Sequence, residues 1–264
     1  MIKHNKYIIH YNQTTMSTVS SIPPTQLFVA LMEATEAIQK QSTLNNNIII
    51  SIDGNIGSGK STIIENIFKR YNGKKNIIRV KEPVSIWETV VDEQGTNILV
   101  NFYADQSKYA YTFQSLTLST RSIGLQQALN NNKNSVIITE RNLQTDKYVF
   151  AQMLHDVGHI TSIQMQVYMH MYNALINICP TSKVIYVKTD PTLCHERIKL
   201  RLRSGEETIP LEYLTSCDNY HTVLIDEYKK KNISILTING NYNNIYDTDI
   251  FETIYSDIEN FINL

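Results

Sequence analysis

Lys60 and Ser61 end the run GNIGSGKS, in which Gly54, Gly59, Lys60 and Ser61 stand at the spacing of a phosphate-binding loop. The chemistry of that spacing is electrostatic. Glycines let backbone N–H groups curl around phosphate oxygens and the helix that follows adds its positive N-terminus. The lysine then reaches the β- and γ-phosphates, and the hydroxyl binds Mg²⁺. Gly54, Asn55, Ile56, Gly57, Ser58, Gly59, Lys60, Ser61 and Thr62 are therefore expected to hold a nucleoside triphosphate, with ATP as the donor. A chance match in an ordinary turn is the alternative, and the position between a strand and a helix speaks against it. Glu82, in KEPVSIW, is a carboxylate able to take the proton of an attacking hydroxyl, or equally to cap a helix or join a salt bridge.

These groups need elements to position them. Five β-rich runs, NIIISID, NIIRVKE, SVIITE, SKVIYVK and ISILTIN, alternate with helical segments, which predicts an α/β domain with a five-stranded parallel sheet covered on both faces. Ligands bind outside the carboxyl ends of such strands. Asp53, Lys81, Glu82, Glu140 and Arg141 all fall there, so they are expected to converge with the glycine loop on one rim. Gln114, Thr117 and Arg121 share one helix face by their spacing, and Asp146 and Phe150 share another. Two such faces can close on one base. Arg197, Arg201 and Arg203 crowd a helix end in CHERIKLRLRSGEE. Alone this is a solvated charged face; opposite a triphosphate it is a lid over the γ-phosphate.

The 264 residues are 42% hydrophobic and carry a formal net charge of −1, enough for a sizeable core but without a basic field for DNA or RNA. The expected partner is a small molecule. Three cysteines lie far apart with no CxxC spacing, which predicts neither a disulfide framework nor a zinc site and fits a reducing compartment. No apolar run approaches a membrane span, so a soluble, cytoplasmic protein is expected. Residues 1–45 read as an appendage, acid-poor and rich in Ser, Thr, Gln and Asn, with helical spacing over 26–41. A flexible extension suits it, and a mitochondrial transit peptide less so because it lacks arginine. His155 and His159 have the four-residue spacing of a zinc hydrolase but lack its glutamate.

Five ordered stretches, GNIGSGKST, EPVSIW, FYADQSKYAYTFQ, ERNLQTDKYVFA and RIKLRLRSGEETIPLEYL, resemble the deoxynucleoside kinases of the deoxycytidine and deoxyguanosine kinase type from about residue 48 to the C-terminal helix. The resemblance implies a three-layer P-loop kinase fold over 46–264 with a short Arg-rich lid at about 197–209. It makes Glu82 the general base toward a sugar 5′-hydroxyl, Glu140 with Ser61 a holder of Mg²⁺, and Arg141 a contact to the 5′-oxygen and the transferring phosphoryl group. Lys60 and Arg201 complete the catalytic set, while Arg197 and Arg203 join the donor site. Gln114 and Thr117 meet the base, Phe150 and Trp87 wall its ring, and Tyr103 with Glu206 take the 3′-hydroxyl. Asn142 stands where the family usually has Ser.

In that family the Arg121 and Asp146 pair accompanies cytosine or purine substrates. A carboxylate accepts from an exocyclic amine and faces the carbonyl of thymine unfavourably. A salt bridge that touches no ligand is the other reading. The resemblance further implies a homodimer through helices near 109–130 and 142–157 and feedback inhibition by a deoxynucleoside triphosphate. The residues leave two other classes open. A nucleoside monophosphate kinase would use Arg121 for its acceptor phosphate, which Asp146 would repel, and an ATP-sensing module would bind without chemistry.

Overall fold

In the computed structural model the described residues are 46–71, 76–201, 203, 205–242 and 248–262; the expected extension and its helix over 26–41 lie outside them. Strand β1 (Ile48–Asp53) is built from β-branched residues and runs centrally, paired in parallel with β3 (Val136–Glu140) and β4 (Lys183–Lys188). The edges are β2 (Ile77–Val80), beside β3, and β5 (Ser234–Asn239), beside β4, which gives the order β2-β3-β1-β4-β5 with every pairing parallel. The five-stranded parallel sheet expected from the sequence is thus present.

Alternation along the strands sends neighbouring side chains to opposite faces. Ile49 and Ile137 pack on one face under α4 (Gln106–Asn131) and α7 (Ser162–Ile176), while Ile50, Ile52 and Ile138 pack on the other under α1 (Lys60–Arg70) and α10 (Thr248–Ile262). Three of the helix starts have a side-chain cap legible in the sequence. Asp105 accepts from Lys108 N to start α4, and Thr161 with Gln164 forms a capping box on α7. Asn97 likewise starts α3 (Ile98–Ala104), which follows the short α2 (Val84–Trp87).

The segment expected as one helix near 142–157 is interrupted. Between α5 (Leu143–Thr145) and α6 (Gln152–Asp156), residues Asp146–Ala151 form a π-helical turn. A turn of this kind takes in an extra residue, so side chains four apart come closer to alignment, and Asp146 and Phe150 line the same cavity. The chain then returns through α8 (Pro191–Arg201), a single 3₁₀ turn at Glu206–Thr208, and α9 (Leu211–Lys230). Cys179, Cys194 and Cys217 are free and buried.

His221, on α9, is buried with Nδ1 2.7 Å from the Cys217 carbonyl oxygen, and burial pushes its imidazole down to about 3. Between the ordinary value of 6.5 and 3, the unfolded chain takes up a proton that the folded chain refuses, so acid favours unfolding. This group alone removes up to ~1.4 kcal/mol of stability per pH unit in that window. Urea unfolding at pH 7 and pH 5 should show a smaller acid loss in His221→Gln than in the parent protein; equal losses would contradict the assignment.

Candidate active site

The loop between β1 and α1 is shaped for close approach. Gly57 has φ 79°, and a Cβ there would lie 2.5 Å from the Cys194 carbonyl oxygen, so a side chain has neither the conformation nor the room. Asn55 fixes the loop from within: its Nδ2 donates to Leu214 O at 2.8 Å, and its own carbonyl accepts from Lys60 Nζ at 2.7 Å. Burial, then the nearby Arg141 charge, pushes the Lys60 ammonium down to about 8, with Glu140 partly opposing. An anion set into the loop would oppose that shift and favour the charged form.

Ser61 donates to both Glu140 oxygens, at 3.0 and 3.1 Å. This pair of hard oxygen groups beside the cradle fits Mg²⁺. Among the described residues no group of three or more His, Cys, Asp or Glu forms a metal cage, and magnesium characteristically takes few protein ligands and fills its shell with phosphate oxygens and water.

Glu82 sits just past β2, before Pro83. Its Oε1 accepts from Arg141 Nη1 at 2.7 Å and lies 3.5 Å from Arg121 Nη2. Burial alone would raise this carboxyl, but the Arg141, Arg121 and Lys60 charges outweigh it and hold Glu82 at about 2. Arg121 also donates to Asp146 Oδ2 at 2.9 Å and to the Glu140 carbonyl at 2.5 Å. Burial pushes the Asp146 carboxyl up against the pull of Arg121.

A cavity opens onto these groups. Glu82, Trp87, Tyr103, Gln114, Thr117, Arg121, Arg141, Asp146, Phe150 and Glu206 all line it, so every residue expected on the acceptor side is brought to one place. Trp87 meets Phe113 edge-on at 5.3 Å and donates from Nε1 to Thr120 Oγ1 at 3.1 Å. Phe150 lies beneath the Arg141 guanidinium at 5.1 Å. A second groove, lined by Gly57, Gly59, Lys60, Ser61, Thr62, Arg197, Arg201 and Arg203, follows the phosphate loop. Gly57, Lys60, Arg201 and Arg203 belong to both hollows, so the two share a wall.

Two expectations need correction. Asp53 does not reach the rim: it is fully buried, accepting from Thr145 Oγ1 at 2.7 Å, because its side chain turns into the protein rather than out of the loop. Lys81 is exposed and lines a different groove along β2. Arg197 lines the groove along the phosphate loop and is anchored there by main chain, donating to Gly240 O at 3.0 Å and Tyr242 O at 2.6 Å while stacking 4.6 Å over the Tyr242 ring. Leu99, Phe102, Phe113 and Tyr213 also line the cavity and were not singled out in the sequence, where such residues look like ordinary core.

A family model described as deoxynucleoside kinase matches residues 50–263. The chain is 37% identical over 226 residues to the "probable deoxycytidine kinase" of fowlpox virus, spanning 84% of this chain and 91% of that protein. It is 29% identical over 240 residues to deoxycytidine kinase 2 of Gallus gallus, spanning 81% of this chain and 89% of that one. To the mitochondrial thymidine kinase 2 of Homo sapiens it is 28% identical over 184 residues, spanning 69% and 66%.

Proposed function

This chain belongs to the deoxynucleoside kinase family, and from that premise we propose that it moves the γ-phosphoryl group of ATP to the 5′-hydroxyl of a 2′-deoxynucleoside carrying cytosine or a purine. The observation that supports this most is the shared wall: the phosphate cradle and the base slot meet at Gly57, Lys60, Arg201 and Arg203. Glu82 lines the slot beside Arg141.

In this reading Lys60 and the loop amides hold the donor phosphates, and Ser61 with Glu140 holds Mg²⁺, which when bound spreads and neutralises phosphate charge. Arg121 and Arg141 both engage Glu82 Oε1, which leaves Oε2 for the proton of the incoming hydroxyl. Phosphoryl transfer passes through a loose transition state, so placing the hydroxyl in line matters more than removing its proton early, and a weakly basic carboxylate suffices. Arg141 then faces the transferring group. Trp87 and Phe150 wall the base, Gln114 and Thr117 meet its edge, and Tyr103 with Glu206 takes the 3′-hydroxyl.

Relatives bear both cytidine and thymidine names, so base preference rests on Arg121 and Asp146. Both are buried, pair with each other at 2.9 Å, and line the base slot, so that a guanidinium and a carboxylate border it. A homodimer through α4 and the 142–157 segment belongs to the same reading; exposed Ile123 and Val157 lie there. So do a cytoplasmic location and an enzyme that takes free nucleosides.

The lid arginines lie across the site. Arg201 pairs with Glu206 Oε2, and Arg203 reaches Glu206 Oε1 at 3.0 Å. Arg201→Ala is expected to lower kcat by about ten-fold or more, since Arg203 and Lys60 retain part of the charge stabilisation, while nucleoside Kd moves less than about three-fold. Unchanged kcat would remove Arg201 from the transfer step. The reading as a whole is tested by offering deoxynucleosides and their 5′-monophosphates separately with ATP and Mg²⁺. Phosphorylation of the nucleosides is expected; turnover confined to the monophosphates would make this a monophosphate kinase.

A further inference from the structure

Arg141 has φ 61°, a left-handed conformation that a non-glycine residue keeps where its surroundings over-determine it. Its backbone is pinned on both sides: its N–H donates to Ile52 O at 3.0 Å, and its carbonyl accepts from Thr139 Oγ1 at 3.0 Å. The next residue, Asn142, leads into a polar network that the transfer chemistry does not use. Asn142 Oδ1 accepts from Thr145 N at 2.9 Å. The Tyr228 hydroxyl lies 2.9 Å from Asn142 Nδ2 and 3.1 Å from its Oδ1. Thr145 Oγ1 donates to Asp53 Oδ1 at 2.7 Å, and Asn142 Nδ2 approaches Asp53 Oδ2 at 3.4 Å.

Asp53, Asn142, Thr145 and Tyr228 are 0%, 2%, 0% and 1% exposed. Among the described residues lining the acceptor cavity, none of the four occurs. They therefore act through something else or serve the core alone. Their placement favours the first. They join three elements, the end of β1 where the phosphate loop begins, the turn after β3, and the far end of α9, and they meet around the residue that follows Arg141. A buried carboxylate satisfied by a hydroxyl and an amide is a rigid junction, because losing one partner leaves a polar group without water.

We propose that Asn142, Thr145 and Tyr228, anchored on Asp53, are positioning residues that hold Arg141 in its left-handed conformation and so set its guanidinium 2.7 Å from Glu82, linking the phosphate loop to the transferring arginine. The proposal rests on the role given to Arg141 above. It also accounts for asparagine at 142: the side chain spans from the turn to both Tyr228 and Asp53.

The test is a kinetic comparison of Tyr228→Phe, Thr145→Val and Thr145→Ser. Tyr228→Phe removes one oxygen and keeps the ring, and Thr145→Val keeps the shape without the hydroxyl. Each is expected to lower kcat ~10-fold to ~100-fold with both KM values within about two-fold, because a small displacement of a transition-state group costs rate rather than ground-state binding. Thr145→Ser retains the hydroxyl and is expected to keep kcat within about two-fold. In an Arg141→Lys background, adding Tyr228→Phe should cost no further kcat, a non-additivity that a purely structural role would not produce. If Arg141→Lys is impaired while both hydroxyl deletions leave kcat intact, or change thermal stability alone, the network is structural and the proposal fails. Should Arg141→Lys itself turn over normally, the role of Arg141 fails instead. If Tyr228→Phe does not fold, the two Thr145 variants decide.

Discussion

Glu82→Gln is expected to lower kcat with deoxynucleoside and MgATP by about 10³-fold while leaving ATP affinity within a few-fold, since general-base groups of this kind contribute ~10²–10⁴. The substitution keeps the shape that Arg141 and Arg121 contact and removes both the proton acceptor and a negative charge. Part of the loss will be positional, because the guanidiniums lose the anion that draws them together. Measuring single-turnover phosphoryl transfer separates the chemical step from product release. The low value of Glu82, about 2, adds a pH signature. This carboxyl stays ionised until acid approaches that value, so it produces no fall in kcat/KM between pH 8 and pH 5. An inactive enzyme at pH 6 that recovers at pH 8 would contradict Glu82 as the base held between these arginines.

The second large effect concerns which base is accepted. Asp146 is 2% exposed and bonded to Arg121, itself 4% exposed. A site that points a carboxylate at the base favours an amine there and leaves itself unpaired opposite a carbonyl. Mismatches of this kind are worth up to ~10⁴–10⁵ in kcat/KM where polar groups are buried. Parent enzyme is therefore expected to reject thymidine against deoxycytidine. Replacing the pair together, Arg121→Gln with Asp146→Asn, avoids stranding one charge in the interior, and an amide offers thymine both a donor and an acceptor. The ratio of kcat/KM for deoxycytidine over thymidine is expected to fall by on the order of 10³-fold in the double variant. An unchanged ratio would make the pair a salt bridge that supports the helices and reads no base.

The sequence carried the sheet and the cradle because both are written in local chemistry. Runs such as IIISID have the β-branched density of a strand buried on both faces, and Gly54, Gly59, Lys60 and Ser61 carry their spacing wherever they occur. Helical periodicity likewise placed Gln114, Thr117 and Arg121 on one face, and all three line the cavity. What escaped depends on which way a side chain turns after a strand ends. Asp53 and Glu140 both close central strands, yet Asp53 turns to Thr145 and Glu140 to Ser61. Alternation separates the two only once the strand register is known: Asp53 is in phase with Ile49 and Glu140 with Ile138, on opposite faces of the sheet. The π-helical turn at Asp146–Ala151 is another such case, since one extra residue per turn leaves no mark in an amphipathic stretch. The main-chain anchoring of Arg197 was not legible either, because the carbonyls that hold it, at Gly240 and Tyr242, come from a distant loop.

The most direct test is a one-pot competition: equal concentrations of deoxycytidine, deoxyadenosine, deoxyguanosine and thymidine, incubated with Mg²⁺ and γ-labelled ATP, with the labelled products separated. Under competition the product ratios report relative kcat/KM. Label in the 5′-monophosphates of the cytosine or purine nucleosides, well above that in thymidylate, is the predicted result. Thymidylate as the leading product would contradict the assigned base preference, and no labelled nucleoside monophosphate at all would contradict the phosphoryl transfer on which the account rests.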